Sequence, residues 1–116
     1  MDVKIYHNAK CSKSRQTFAL LEENGITPVV IEYLKTPPDA ATIGHLLDLL
    51  GLSARQLMRT KEPEYKAQNL ADASLSEAQL VQAMVDTPKL MERPIVVVDG
   101  KKAVIGRPPE NVLAII

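Results

Sequence analysis

Only one of the 116 residues is cysteine, none is tryptophan, and three tyrosines and one phenylalanine make up the whole aromatic complement. A single cysteine permits no internal disulfide and no Cys-x-x-Cys pair. Zinc would have to be held by two histidines and scattered carboxylates, so no metal is expected. Net charge is missing as well, with 14 Lys+Arg against 14 Asp+Glu. A nucleic-acid backbone is gripped by a basic stripe and bases are held by stacked aromatics; this composition offers neither, so nucleic acid is not an expected partner. No apolar run approaches the roughly 20 residues that span a bilayer, and the first residues carry Asp2 and Lys4 where a signal peptide would be apolar. The expectation is a soluble, cytoplasmic, monomeric protein without membrane contact.

With 46% hydrophobic and 24% charged residues the chain lies far from the composition of disorder. Its length suits one domain, 1–116, able to bury about two thirds of the surface that the unfolded chain exposes. Val3 to Tyr6 is a short β-prone run. Cys11 to Asn24 reads as a helix with Thr17, Phe18 and Leu21 among its inward positions, stopped by Asn24-Gly25. After Pro28, the β-branched run Val29 to Tyr33 predicts a second strand, and a crossover helix makes it a parallel neighbour of the first.

From Asp39 the pattern becomes helical. Ile43, Leu46, Leu47 and Leu50 form one stripe, with Gly51 as the stop. Ser53 can cap a short helix reaching Arg59, another turn fits Pro63 to Asn69, and Ser76 to Gln79 is a capping box before Leu80, Ala83 and Met84. Strands return at Ile95 to Val98 and Lys101 to Ile105, joined by Asp99-Gly100, the strongest short hairpin signal. Pro108-Pro109 then leads into a last helix, Glu110 to Ile116, with Val112, Leu113 and Ile116 on one side. The order is β-α-β, a helical insertion over about 39–90, then β-β-α. This α/β order, with a cysteine between the first strand and first helix, resembles the thioredoxin-like arrangement, and such a fold alone fixes no function.

Cys11 sits where strand hands over to helix, in His7-Asn8-Ala9-Lys10-Cys11-Ser12-Lys13-Ser14-Arg15. A helix N-terminus presents unpaired N–H groups and partial positive charge, both of which favour a thiolate. Lowering a thiol from about 8.5 by about two units takes roughly 2.7 kcal/mol, and a helix end supplies about 0.3 to 2. Lys10, Lys13, His7 or a distant arginine must supply the rest. The alternative is that Cys11 is a small buried hydrophobe. A phosphatase-type loop is excluded, because the arginine it needs at position 17 is Thr17. Pro94, just before a strand, can take a cis bond that turns Arg93 toward the cysteine loop, or a plain trans bond that leaves Arg93 on the surface. Arg15, Arg59 and Arg107 are, by position alone, surface charges.

Taken together, several stretches resemble the glutaredoxin-coupled arsenate reductases, the ArsC family, and most closely its short bacterial members. They are Ile5 to Asn8 with Cys11 and Ser14-Arg15, Tyr33-Leu34 with Pro37-Pro38, Leu57-Met58-Arg59, Arg93 to Val97, and Gly106-Arg107-Pro108. The resemblance implies a thioredoxin-like domain in which Cys11 is the nucleophile and Arg59, Arg93 and Arg107 hold the substrate oxyanion. His7 and Ser14 fall at positions that support the thiolate, and Pro94 at a cis-proline position. No bound cofactor is implied; glutathione enters as co-substrate and glutaredoxin as the reducing partner, with arsenate or a similar oxyanion as substrate. One alternative is a regulator resembling the Spx proteins, which bind RNA polymerase and typically carry a Cys-x-x-Cys switch; here Ser14 replaces the second cysteine. The other is a generic glutathione-linked thiol oxidoreductase.

Overall fold

The computed structural model describes residues 1–116. The chain forms two compact units, one built from 1–36 and 93–116 and the other from 37–92. The first holds a four-stranded sheet of β1 (Val3–Tyr6), β2 (Val29–Ile31), β3 (Ile95–Val98) and β4 (Lys102–Ile105) in the order β2-β1-β3-β4. Helix α1 (Ser12–Glu23) connects β1 to β2, and the two strands pair in parallel, Ile5 opposite Val30. Both other pairings are antiparallel, with Ile5 opposite Val96 and Val96 opposite Val104. The α/β, thioredoxin-like order expected from the sequence is the one observed.

Alternation explains which side chains cover α1. Val3 and Ile5 of β1 and Val96 and Val98 of β3 project to one face, where Leu21 of α1 and Val112 complete a buried cluster flanked by Phe18, Ile26 and Val104. Each such side chain contributes about 1.5 to 3 kcal/mol by leaving water, so truncating Ile5 to alanine should cost about 2 to 5 kcal/mol. The hairpin turn places Asp99 and Gly100 at φ 55° and 65°, the left-handed region that an Asp-Gly pair enters cheaply.

In the second unit, α2 (Ala40–Leu50) starts at Asp39, whose side chain accepts the Thr42 N–H, and ends on Gly51 at φ 67°. Helices α3 (Ala54–Leu57) and α5 (Glu77–Asp86) both open with capping boxes, Ser53 with Gln56 and Ser76 with Gln79. Between them, α4 (Pro63–Ala67) has proline in its first turn. No helix is long and apolar enough to cross a membrane.

Three expectations change. The second strand ends at Ile31, because the Glu32 carbonyl accepts the N–H groups of Lys35 and Thr36 and the chain turns away; Tyr33 is buried outside the sheet, 1% exposed. The helix after Ser53 stops at Leu57 instead of reaching Arg59. Met58 is extended there and bridges Met91, while the Arg59 N–H goes to the Leu90 carbonyl and the Glu92 N–H to the Leu57 carbonyl. The last helix is a 3-10 helix, Pro109–Ala114, not an α-helix over 110–116. Its tighter winding buries Val112, packs Ile115 and Ile116 against the core and leaves Leu113 exposed.

Candidate functional site

Cys11 is the N-cap of α1, with φ −92° and ψ 123°, so its backbone is still extended while its carbonyl already accepts the Arg15 N–H. Three local bonds fix the loop that delivers it. The Cys11 N–H donates to the Asn8 carbonyl at 2.9 Å, the Lys10 N–H to Asn8 Oδ1 at 3.0 Å, and Arg15 Nη1 to the Ala9 carbonyl at 2.9 Å. Arg15, a plain surface charge by sequence, is therefore a clamp on the cysteine loop. Its place in the family motif did not mark this role, because the acceptor is a backbone carbonyl.

Two other segments of the same unit meet the sulfur. Arg107 Nη2 lies 3.5 Å from Cys11 Sγ, and its Nε donates to the Arg93 carbonyl at 2.8 Å, so one guanidinium ties the thiol to the start of β3. The Arg93 side chain makes a further polar contact with the sulfur. The Arg93-Pro94 bond is cis, the outcome that the local sequence left open and the family resemblance implied; Arg107-Pro108 is cis too, which was not anticipated.

Partial burial pushes the Cys11 thiol up, but the N–H groups of Ser14 and Lys13, the Arg107 charge and the Arg93 side chain together outweigh it, and the net shift is downward. Cys11 closes no formal cap hydrogen bond, so the two N–H groups act on the sulfur mainly as oriented dipoles. The first turn of α1 carries no acidic side chain that would oppose this. Lys13 acts through its backbone N–H, and the charges that lower the thiol come from Arg107 and Arg93, not from the Lys10 and Lys13 ammonium groups nearest in the sequence.

Ser14 is fully buried and His7 partly so, and they pair with each other: Ser14 Oγ is 2.6 Å from His7 Nδ1 and accepts the Asn8 N–H at 3.1 Å. Desolvation holds the His7 pKa below its usual value, assisted by Arg15 and opposed by Glu32. A neutral ring accepts at Nδ1 the one proton Ser14 Oγ has to give, and carries its own on Nε2; this tautomer is assigned from the network. Thus His7 and Ser14 shape the loop ahead of Cys11, and the His7 ring packs 5.7 Å from that of Phe18.

Arg59 belongs to the second unit. Its Nε donates to Glu62 Oε1 at 3.0 Å and its Nη1 to Glu92 Oε1 at 2.6 Å, and Lys89 extends the chain of charges to Glu62 and Glu64. Both carboxylates raise the Arg59 pKa against the opposing effect of burial. The pairing to Glu92 joins residues 33 apart in sequence and had no local signal.

The arrangement in the first unit is a cation-rich cradle around a thiol that ionises more readily than usual. No group of three His, Cys, Asp or Glu side chains is placed to hold a metal ion.

Comparison with known proteins points to one family. The ArsC family profile matches residues 6–115. The uncharacterized protein YfgD of Escherichia coli (strain K12) is 67% identical over 98% of this chain and 96% of its own length. An arsenate reductase of Neisseria meningitidis is 47% identical over 99% of this chain and 98% of its own. Among solved structures, an arsenate reductase from Vibrio cholerae superposes with TM-score 0.97 at 55% identity, covering 100% of this chain and 98% of that one.

Proposed function

The chain belongs to the ArsC family, and on that premise we propose that it reduces arsenate to arsenite, with Cys11 as nucleophile and glutathione and glutaredoxin as the source of electrons. The observation that carries this reading is the Arg107 guanidinium 3.5 Å from Cys11 Sγ at the start of α1. A thiolate attacking a tetrahedral oxyanion of about −1.5 to −2 charge is repelled unless cations neutralise that charge, and guanidinium forks fit such oxygens better than a lysine point charge. Arg93 and Arg107 supply two of them. Arg59 is assigned to the oxyanion by the resemblance, and an incoming anion has to compete there with Glu62 and Glu92.

The steps balance as follows. Cys11 sulfur bonds to arsenic(V), and one arsenic oxygen leaves as water after protonation. A glutathione thiol displaces a second oxygen and joins the same arsenic. A glutaredoxin thiolate then attacks the glutathione sulfur; the S–As bond breaks with its electron pair going to arsenic, which becomes arsenic(III). Hydrolysis of the Cys11 S–As bond releases arsenite and restores the thiol. Two external thiols end as one mixed disulfide, which is why one protein cysteine suffices. A reducing cytoplasm, where glutathione keeps thiols reduced, is the compartment this chemistry requires.

The test is reconstituted turnover with glutathione, glutaredoxin and arsenate. Arsenite formation that is lost in Cys11→Ser supports the proposal. Disulfide exchange of equal rate with and without arsenate would replace it with a generic thiol oxidoreductase.

A further inference from the structure

Two buried residues far apart in the chain have no part in the chemistry above. Thr17 lies on α1, 0% exposed, and its hydroxyl sits 2.8 Å from the Lys13 carbonyl and 3.3 Å from that of Gly106. Gly106 is buried and immediately precedes Arg107. It is not one of the glycines at positive φ, so its lack of a side chain serves space and not conformation. A Cβ built there would run into Thr17 Oγ1 and would lie 2.8 Å from Pro94 Cγ and 3.0 Å from Thr17 Cγ2.

We infer that Thr17 and Gly106 are positioning residues whose close contact sets how near the Arg107 guanidinium comes to Cys11 Sγ, an inference that rests on Cys11 and Arg107 acting together as proposed. The mechanical link is short. The Gly106 N–H donates to the Pro94 carbonyl at 2.9 Å and Arg107 Nε to the Arg93 carbonyl at 2.8 Å, so residues 93–94 and 106–107 move as one piece against α1. The other face of that contact is Thr17, on the helix that carries Cys11 at its start. Ordinary carbon contacts lie at about 3.5 to 4.0 Å. Relieving the Thr17 Cγ2 clash alone therefore opens the contact with α1 by roughly 0.5 Å, and the Thr17 Oγ1 overlap asks for more, which takes the guanidinium to the edge of hydrogen-bond range of a sulfur that it now meets at 3.5 Å.

The experiment titrates the Cys11 thiol in the full chain by thiolate absorbance against pH, and measures arsenate kinetics beside it, in Gly106→Ala, Thr17→Ala, Thr17→Ser and the Thr17→Ala/Gly106→Ala double variant. Gly106→Ala should lower the thiolate fraction about threefold at a fixed pH below the midpoint, a shift of about half a unit, and raise the arsenate KM. Thr17→Ala, which loses the bond to the Gly106 carbonyl, should show a smaller loss, and Thr17→Ser, which keeps the hydroxyl, should titrate as wild type. In the double variant Thr17 no longer blocks the new methyl, so its titration should return to the Thr17→Ala level and not fall to the sum of the two. A folded Gly106→Ala with the wild-type titration overturns the inference, as does a double variant no better than Gly106→Ala. If Gly106→Ala does not fold, the Thr17 pair decides: equal titration of Thr17→Ala and Thr17→Ser overturns it. The titration needs no arsenate, so a wild-type chain inert toward arsenate defeats the proposed function and leaves this inference standing, whereas arsenate turnover with unmoved titrations does the reverse.

Discussion

Replacing Arg107 with alanine removes a charge held against the sulfur, and the effect can be sized from the 3.5 Å separation. Two unit charges at that distance attract by about 1.2 kcal/mol in a water-like dielectric, and several times more in a dry interior. Cys11 is only partly buried, so the water-like figure governs, and physiological salt trims it to about 1 kcal/mol. That corresponds to about 0.7 unit, or roughly fivefold less thiolate at a pH well below the midpoint. Thiolate absorbance, or the rate of alkylation by iodoacetamide against pH, reads this directly. Arg107→Lys restores a point charge without the planar fork, so its titration should move back toward wild type while its arsenate KM stays high. If Arg107→Ala titrates as wild type, the guanidinium does not hold the thiolate and the electrostatic reasoning fails.

Other expectations are as concrete. Cys11→Ser should abolish turnover and leave the circular dichroism spectrum unchanged; retained turnover removes Cys11 as the nucleophile. Arg93→Lys keeps the charge yet should raise the arsenate KM about tenfold, because a bidentate contact is lost; unchanged kinetics would reduce Arg93 to a surface cation. Arg59→Ala should raise the arsenate KM without moving the Cys11 titration, and an unchanged KM would make Arg59 only the partner of Glu62 and Glu92. Ser14→Ala strips the acceptor from the Asn8 N–H and the partner from His7 Nδ1, a loss of about 1 to 3 kcal/mol measurable by urea unfolding. The Cys11 pKa is lowered in the folded protein, so the unfolded chain binds more protons between that lowered value and the ordinary thiol range. Stability should therefore rise with pH across this window and fall as pH drops through the folded value, and Cys11→Ser should flatten that slope.

What could be read from the residues was mainly local. Asp39, Ser53 and Ser76 announce their helices because a cap and its helix are adjacent in sequence. Asp99-Gly100 announces the hairpin for the same reason, and Cys11 at a strand-to-helix junction announces a thiol on a helix end. What stayed hidden was non-local or depended on backbone acceptors. Thr17 meets Gly106 across 89 positions and Glu92 engages Arg59 across 33, while the reach of Arg107 to Cys11 across 96 was implied only by the family resemblance and by no local pattern. Composition also misled at Tyr33: β-branched neighbours favour a strand, but the turn closed on the Glu32 carbonyl takes the ring out of the sheet. At Leu113 the assumption of α-helical spacing failed because the segment winds as a 3-10 helix.

The most direct test of the central claim is to count products in the reconstituted system. One arsenite per mixed disulfide, dependent on arsenate and absent in Cys11→Ser, is the predicted result. Thiol oxidation that proceeds without arsenate, or arsenate that is recovered unreduced while the wild-type chain is folded and its thiol ionised, would contradict it.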